Sequence, residues 1–493
     1  MKRIVVIGAG LGGLSVAIRL ARNGYPVTLL EMNEGIGGKM NIWQGKGYTF
    51  DTGPTLLTMP FVLHDLFDAA GRRMEDHLEL VRLVPICRYI YPDGSTLDAS
   101  SDGAEMERQL NQWSPGDGAA FRRFLRHGER IYRAAAEPFL FTPFGSMGFR
   151  TAFRYAGFLP SLLRIDAFRT LDAAVRSAFR DERTRRMINR FATYNGSSPY
   201  RVPATLAIIP YVEFAMGGWY VRGGMFRLAA ALQEIAADLG VVVRTRCRVD
   251  EILLREGAAV GVRLASGEEL PADVVISNAD AYHTGKHLLR ESNAHGVGKE
   301  REPSLSGFVM MLGVRREFPS LAHHNIIFSR DYSREFAMLF DRRVPPDDPT
   351  IYVAVSSKTD PSHAPSGASN LFILVNAPAI SKGNDWDEKK AEYRSLILQR
   401  MAGGGFPDLE RSIEVEKVIT PADFERHYNA SRGAIYGTSS NGVFSAFLRP
   451  KNRPKRPRGL YLVGGSSHPG GGIPLVLLSG KIVASMVKED VRN

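Results

Sequence analysis

Residues 3 to 31, RIVVIGAGLGGLSVAIRLARNGYPVTLLE, decide the fold of this chain. Ile4, Val5, Val6 and Ile7 form a β-branched run without a turn residue, which reads as a buried parallel strand. Gly8, Gly10 and Gly13 follow as G-x-G-x-x-G, and Leu14, Ala17, Ile18 and Ala21 then recur at helical spacing until Gly24 stops the helix. YPVTLLE supplies a second strand that ends on Glu31, about 20 residues beyond the first glycines, the spacing of a dinucleotide-binding unit. Gly8 permits the sharp turn, Gly10 lets the backbone approach a pyrophosphate, and Gly13 lets the helix pack on the strand. The free N–H groups and positive end of that helix attract phosphate. A carboxylate at Glu31 is placed to accept both ribose hydroxyls of an adenosine and disfavours a 2′-phosphate, so FAD or NAD is expected and NADP is not.

Working outward, GIGGKMNIWQGKGYTFDTGPT spans Gly35 to Thr55 and puts Gly37, Gly38 and Lys39 directly after the acidic strand, then an aromatic-capped turn and Asp51-Thr52-Gly53-Pro54. Glycine-rich backbone with one lysine suits a second pass along a diphosphate; alone, it also reads as an exposed turn-rich loop. The pattern returns from Gly217 to Leu254, where Gly223 and Gly224 precede an amphipathic helix and VVVRT, VDEILL, AVGVRL and ADVVISNAD read as strands. It returns again at the C-terminus in GLYLVGGSSHPGGGIPLVLLSGKIVASMV, once more strand, glycine loop and helix, with Pro474 in the first helical turn, where its missing N–H costs nothing. That helix start aims free N–H groups at whatever occupies the loop.

At about 150 residues per domain, 493 residues predict about three units or two large ones. The 44% hydrophobic and 23% charged residues lie near the average of folded proteins and argue against long disorder or a fibrous repeat. Sixty-three Lys and Arg against 52 Asp and Glu leave +11, a surface attractive to something anionic. Cys87 and Cys247 are too few for a disulfide framework or a four-ligand zinc site, so a reducing compartment and no metal are expected. No stretch reaches the ~20 apolar residues of a spanning helix, and the N-terminus has glycines where a signal peptide carries its apolar core. Between residues 139 and 169, Phe139, Phe141, Phe144, Phe149, Phe153, Tyr155 and Phe158 stand among Arg150, Arg154, Arg164 and Arg169. That mixture describes a monotopic membrane contact, or an ordinary helix pair with a basic solvated face. The basic stretch RPKNRPKRPRG, Arg449 to Gly459, reads as a solvated connector, with contact to anionic lipid as the alternative, rather than a nucleic-acid patch.

End to end, the chain resembles the bacterial phytoene desaturase-type carotenoid desaturases of the amine-oxidase-like flavoprotein superfamily. The resemblance rests on DTGPTLLTMP (Asp51 to Pro60), GGWYVRGGM (Gly217 to Met225) and YLVGGSSHPGGGIPLVLLSGKIVA (Tyr461 to Ala484). GPTLLTM, LFDAAGRRMEDHLEL and RFATYNGSSPYRVPATL look most like the hydroxyneurosporene and methoxyneurosporene desaturases, which act late on acyclic carotenoids. The resemblance implies FAD, held by Gly8, Gly10, Gly12, Gly13, Glu31, Met32, Gly37, Gly38, Lys39, Gly53 and Pro54, by Val249 near the adenine and Asn278, and by Gly464, Gly465, Gly472, Ile473 and Pro474 at the flavin. Where many FAD folds carry an acid after the last strand, this chain has Gly464-Gly465-Ser466-Ser467, so hydroxyls or backbone must hold the ribityl chain.

The implied fold is α/β and α+β. A Rossmann-like FAD domain is assembled from residues 1–70, 217–289 and 450–493, with an inserted sheet-plus-helices substrate domain of residues 71–216 and 290–449 that includes membrane-contact helices around 139–169. The implied activity is desaturation of a linear carotenoid by hydride transfer to the flavin, at the cytoplasmic face of a membrane bearing anionic lipid, with oxygen or a quinone as the electron acceptor. No NAD(P)H or nucleic-acid partner is expected. Positioning and exclusion of water supply most of such catalysis, and a proton acceptor is optional. The candidate is Glu213 in LAIIPYVEFAMGGWY, because a carboxylate in so apolar a stretch is either raised in pKa or held by an arginine as a structural group. His468, before Pro469, reads as a packing residue of the flavin surroundings. A phytoene or thirty-carbon desaturase, an isomerase or ketolase, an FAD amine oxidase and a non-enzymatic prenyl-binding escort remain as alternatives.

Overall fold

The computed structural model describes residues 1–142, 165–290, 297–299, 301–381, 383, 385–442 and 449–492. A five-stranded parallel sheet has the order Leu460–Leu462, Val274–Ser277, Ile4–Ile7, Val27–Leu30, Val242–Arg244, so distant stretches of the chain meet in one ladder. All four residues of Ile4–Ile7 are buried, as a strand covered on both faces requires. The helix Leu11–Ala21 packs against Phe226–Asp238 and the C-terminal Ile473–Arg492. Its approach to the latter is close: Ser15 Oγ donates to the Leu477 carbonyl at 2.9 Å. Beside this layer lies an antiparallel sheet of Val249–Arg255, Ala258–Leu264 and Glu269–Pro271.

A seven-stranded mixed sheet runs Ile413–Ile419, Ser306–Val314, Ser369–Ala377, Ile351–Ala354, His324–Ile327, Cys87–Ile90, Thr96–Ala99. The strand Ser306–Val314, SGFVMMLGV, is buried throughout, and the two-residue period of a strand divides it between two cores. Phe308, Met310 and Leu312 pack with Trp386, Tyr393, Ile397 and Met401 of the helix Trp386–Ala402. Val309 and Met311 face the other way, onto Tyr48 and Phe50. Those two aromatics belong to an antiparallel hairpin, Ile42–Gly45 with Tyr48–Asp51, where the sequence reads only as a loop with an aromatic-capped turn. Tyr48 and Phe50 alternate with polar neighbours and bury one face against the sheet, which converts the loop into strands. Asp51 at the hairpin's end accepts the Met225 and Phe226 N–H groups at 2.9 and 3.0 Å, so it joins the hairpin to the start of the helix Phe226–Asp238.

The connector at Arg449 to Gly459 is not simply solvated. Lys451, Lys455 and Arg456 are exposed, but Asn452 is fully buried and its Nδ2 donates to the Leu462 and His468 carbonyls at 3.0 and 2.8 Å. Buried polar side chains are kept where they satisfy backbone groups, and this one ties the connector to the last strand. Within the expected membrane segment, residues 143–164 lie outside the described residues, and with them Phe144, Phe149, Arg150, Phe153, Arg154, Tyr155, Phe158 and Arg164. Of its flanks, Phe168 is 75% exposed and Arg169 is held by Asp166 at 2.8 Å. No described helix is long and apolar enough to cross a membrane.

Candidate functional site

The glycine turn is built by exclusion of side chains. A Cβ on Gly13 would lie 2.1 Å from the Gly8 carbonyl oxygen, so helix and strand approach as closely as backbone allows. Asn278, at the end of the strand Val274–Ser277, reaches into the turn; its Nδ2 donates to the Gly8 carbonyl at 3.2 Å. A Cβ on Gly12 or Gly464 would meet Asn278 Oδ1 at 2.6 or 2.5 Å. One amide side chain thus clamps the N-terminal turn to the C-terminal loop.

The turn opens on a cavity of about 500 Å³. Gly8, Gly10, Gly12, Glu31, Met32, Gly37, Gly38, Lys39, Gly53, Pro54, Val249, Asn278, Gly465, Gly472, Ile473, Pro474 and Glu213 all line it. Gly13 and Gly464 stand behind the wall, where their small size permits the close contacts just described. Glu31 is buried, and its carboxylate accepts the Ala9 N–H through Oε2 and the Asn33 N–H through Oε1, both at 2.9 Å. Oε1 also accepts from Asn33 Nδ2 at 3.0 Å; these bonds orient the carboxylate and leave further acceptor capacity on Oε2. The second loop folds back on the first: a Cβ on Gly53 would lie 2.0 Å from the Lys39 carbonyl oxygen. A bare backbone cradle at a helix start, an oriented carboxylate and a lysine fit the diphosphate and ribose of FAD. Asp280 also lines the cavity and caps the short turn after it by accepting the Tyr282 and His283 N–H groups at 2.9 and 3.2 Å. His468 does not line the cavity; its ring Nε2 lies 3.3 Å from the Thr142 carbonyl.

Lys39 Nζ donates to the Ile435 carbonyl at 2.6 Å. Burial pushes its pKa down to about 8, against the pull of Asp280. An anion in the cradle favours the protonated lysine, so FAD binding and proton binding are linked. Affinity of the apoprotein for FAD is expected to fall as pH rises through about 8, by up to about tenfold per unit, and to lose this dependence in Lys39→Met. Flavin fluorescence titrations between about pH 7 and pH 9 check this; identical slopes for both proteins would remove Lys39 from the site.

Away from the cradle, the same cavity becomes apolar and aromatic, lined by Val309, Ile326, Tyr332, Tyr352, Phe372 and Leu374. Tyr352 and Thr55 share a hydroxyl–hydroxyl bond. In this chamber stand two buried charges, Arg190 and Glu213. Arg190 opens the short helical segment Arg190–Asn195, and Glu213 sits in the helix Ile208–Met216. Tyr194 donates to Glu213 Oε2, and Arg190 Nη2 lies 3.7 Å from Oε1. Arg190 also donates through Nε to Tyr89 at 3.1 Å and through Nη2 to Tyr194 at 3.3 Å, while the Tyr89, Phe191 and Tyr194 rings surround its guanidinium at 4.8–5.4 Å. Burial pushes the Glu213 carboxyl above the ordinary carboxylate range, and Arg190 and then Tyr194 pull it back. The two sequence readings of Glu213 therefore meet in one residue: its pKa is raised, and an arginine stands within ion-pair distance of it.

Arg190, Tyr194 and Tyr352 escape sequence reasoning. Arg190 and Tyr194 stand four apart in RFATYN, a helical spacing, but nothing local says that a carboxylate from another helix closes the cluster.

A family model for flavin containing amine oxidoreductases matches residues 11–488 of the chain. Among similar proteins, the 4,4'-diapolycopene oxygenase of a Methylomonas species is 38% identical over 494 residues, covering 100% of this chain and 99% of that protein. The 4,4'-diaponeurosporene oxygenase of Staphylococcus haemolyticus is 36% identical over 488 residues, covering 99% and 97%. Among solved structures, putrescine oxidase bound to putrescine has a TM-score of 0.64 at 15% identity and covers 99% of each chain. A CLA-producing fatty acid isomerase from P. acnes has a TM-score of 0.63 at 15% identity, covering 99% of this chain and 98% of that one.

Proposed function

Because the chain belongs to the flavin-containing amine oxidoreductase family, we propose that it is an FAD-dependent enzyme that oxidises a linear carotenoid at or near one end. The observation that carries this reading is the cavity itself: the dinucleotide cradle runs without a break into an apolar, aromatic chamber suited to a polyene. Full-length relatives named as oxygenases of diapocarotenoids support the substrate class and favour oxidation that introduces oxygen. Desaturation, expected from the motif resemblance, is the second reading, since the apolar wall by itself asks only for positioning of the chain.

FAD, when bound, supplies the two-electron acceptor chemistry. The glycine turn, Glu31 and Lys39 would hold its diphosphate and ribose; the chamber excludes water and aligns the polyene. Glu213, raised in pKa and facing the chamber, accepts a proton from the substrate. Oxygen or a quinone takes the electrons onward, and in the oxygen-introducing reading water or dioxygen supplies the added oxygen atom. The discriminating experiment expresses the chain in cells that accumulate phytoene, neurosporene or 4,4'-diaponeurosporene and identifies products by absorption and mass. Gain of oxygen supports oxygenation, loss of two hydrogens supports desaturation, and unchanged carotenoids with FAD bound overturn both.

A water-insoluble substrate has to be collected from lipid, so we place the protein on the cytoplasmic face of the membrane as a peripheral, monotopic enzyme. The +11 net charge, the aromatic and arginine composition around residues 139–169 and the exposed Phe168 and Phe61 support this placement. The protein is expected to float with vesicles containing phosphatidylglycerol and to be released by about 1 M salt, where screening is nearly complete. Equal recovery with purely zwitterionic vesicles would sink the electrostatic part of the proposal.

A further inference from the structure

The Arg190–Glu213 pair makes less than full use of its polar atoms. Glu213 is 1% exposed and its Oε1 has no hydrogen-bond partner among the described residues; at 3.7 Å, Arg190 Nη2 is too distant to donate to it. Arg190 spends Nε on Tyr89 and Nη2 on Tyr194, and no bond to a described residue uses its Nη1. An unmatched buried acceptor and an arginine with an unspent donor therefore belong to one ion pair in the wall of a chamber whose other lining is mostly apolar. Leaving such groups unmatched is costly, and a polyene hydrocarbon can match neither.

We infer that Arg190 and Glu213 form a recognition site for a hydroxyl group carried on the polyene, with Arg190 Nη1 donating to the hydroxyl oxygen and Glu213 Oε1 accepting its proton. The inference rests on the carotenoid reading above and names the form of substrate that this chamber takes best. A hydroxyl is the group that both donates and accepts within one atom. A carboxylate is repelled by Glu213 and an ammonium by Arg190, so the neutral pair selects a neutral oxygen function. An aldehyde or ketone accepts from Arg190 and leaves Glu213 unmatched. Tyr194 and the ring faces around the guanidinium fix the geometry: Tyr194 occupies Oε2 and accepts from Nη2, which leaves Oε1 and Nη1 for the ligand.

The test measures binding rather than turnover. Flavin-loaded protein, kept anaerobic, is mixed with phosphatidylcholine–phosphatidylglycerol vesicles carrying either a linear polyene hydrocarbon or its terminal alcohol of the same chain length, and the partition of each into the protein is read from its absorption. The alcohol is expected to bind roughly ten- to a hundredfold more tightly, the range for a hydrogen bond to a charged group. Arg190→Met should erase that ratio. Since this change strands a buried carboxylate, the double variant Arg190→Met/Glu213→Leu, which removes both charges, serves as the second probe. It too should bind both polyenes alike, with its flavin spectrum confirming an intact fold. If the wild-type protein binds alcohol and hydrocarbon equally, or the double variant keeps the preference, the hydroxyl site is wrong while the carotenoid reading stands. If neither polyene enters the wild-type protein, the carotenoid reading falls and takes this site with it.

Discussion

Gly13→Ala is expected to yield a protein that purifies without flavin. The new methyl would lie 2.1 Å from the Gly8 carbonyl oxygen and 3.3 Å from its carbon, and both are backbone atoms that no rotamer change can move. The helix Leu11–Ala21 must then back away from the strand Ile4–Ile7. That helix is packed on its far side too, with Leu14, Ala17 and Ile18 fully buried in the main core and Ser15 bonded to Leu477, so retreat on one side compresses the other. Overpacking of this kind costs about 1–3 kcal/mol, and it displaces the N–H groups that would meet the diphosphate. Gly35→Ala is the control: nothing lies within 4 Å of a Cβ there, and flavin content should be unchanged. Absorption near the flavin bands, normalised to protein, gives the answer. Equal flavin in both variants would refute the close-packing account of Gly13.

Glu213→Gln is expected to keep FAD and to lose about a hundredfold or more in the rate of oxidation of the carotenoid identified by the product assay, the range in which a positioned proton acceptor contributes. Glutamine preserves the side-chain volume and an acceptor oxygen, so Tyr194 keeps a partner. Arg190 keeps its bonds to Tyr89 and Tyr194 and its three ring faces. What is removed is the ability to take up a proton in a site that burial already biases toward the protonated form. Single-turnover reduction of the bound flavin, followed anaerobically by its absorbance, is the measurement. A rate equal to wild type, at equal flavin content, would reduce Glu213 to a structural partner of Arg190.

The sequence alone made the strand, turn and helix at the N-terminus legible. Gly8, Gly10, Gly13 and Glu31 are spaced by the geometry of one strand, one turn and one helix, so their meaning is local and readable in order. The returns at Gly217 and Gly459 were legible for the same reason; the structure places Val242–Arg244, Val274–Ser277 and Leu460–Leu462 in the ladder of Ile4–Ile7 and Val27–Leu30, while Val249–Arg255 and Ala258–Leu264 form the separate antiparallel sheet. Tertiary structure alone decided what lies across from each of these elements. Periodicity marked SGFVMMLGV as apolar, but which of its two faces meets the helix Trp386–Ala402 and which meets Tyr48 and Phe50 depends on layers assembled from remote parts of the chain. Asn278 was recognisable as part of a cofactor segment, and its clamp between Gly8 and Gly464 was not. The polar chamber wall shows the limit most plainly. A carboxylate in an apolar helix announces that it needs a partner, because a buried charge cannot stand alone. Only folding, which carries the segment Arg190–Asn195 onto the helix Ile208–Met216, supplies Arg190 and Tyr194 as that partner and turns both charges toward the cavity.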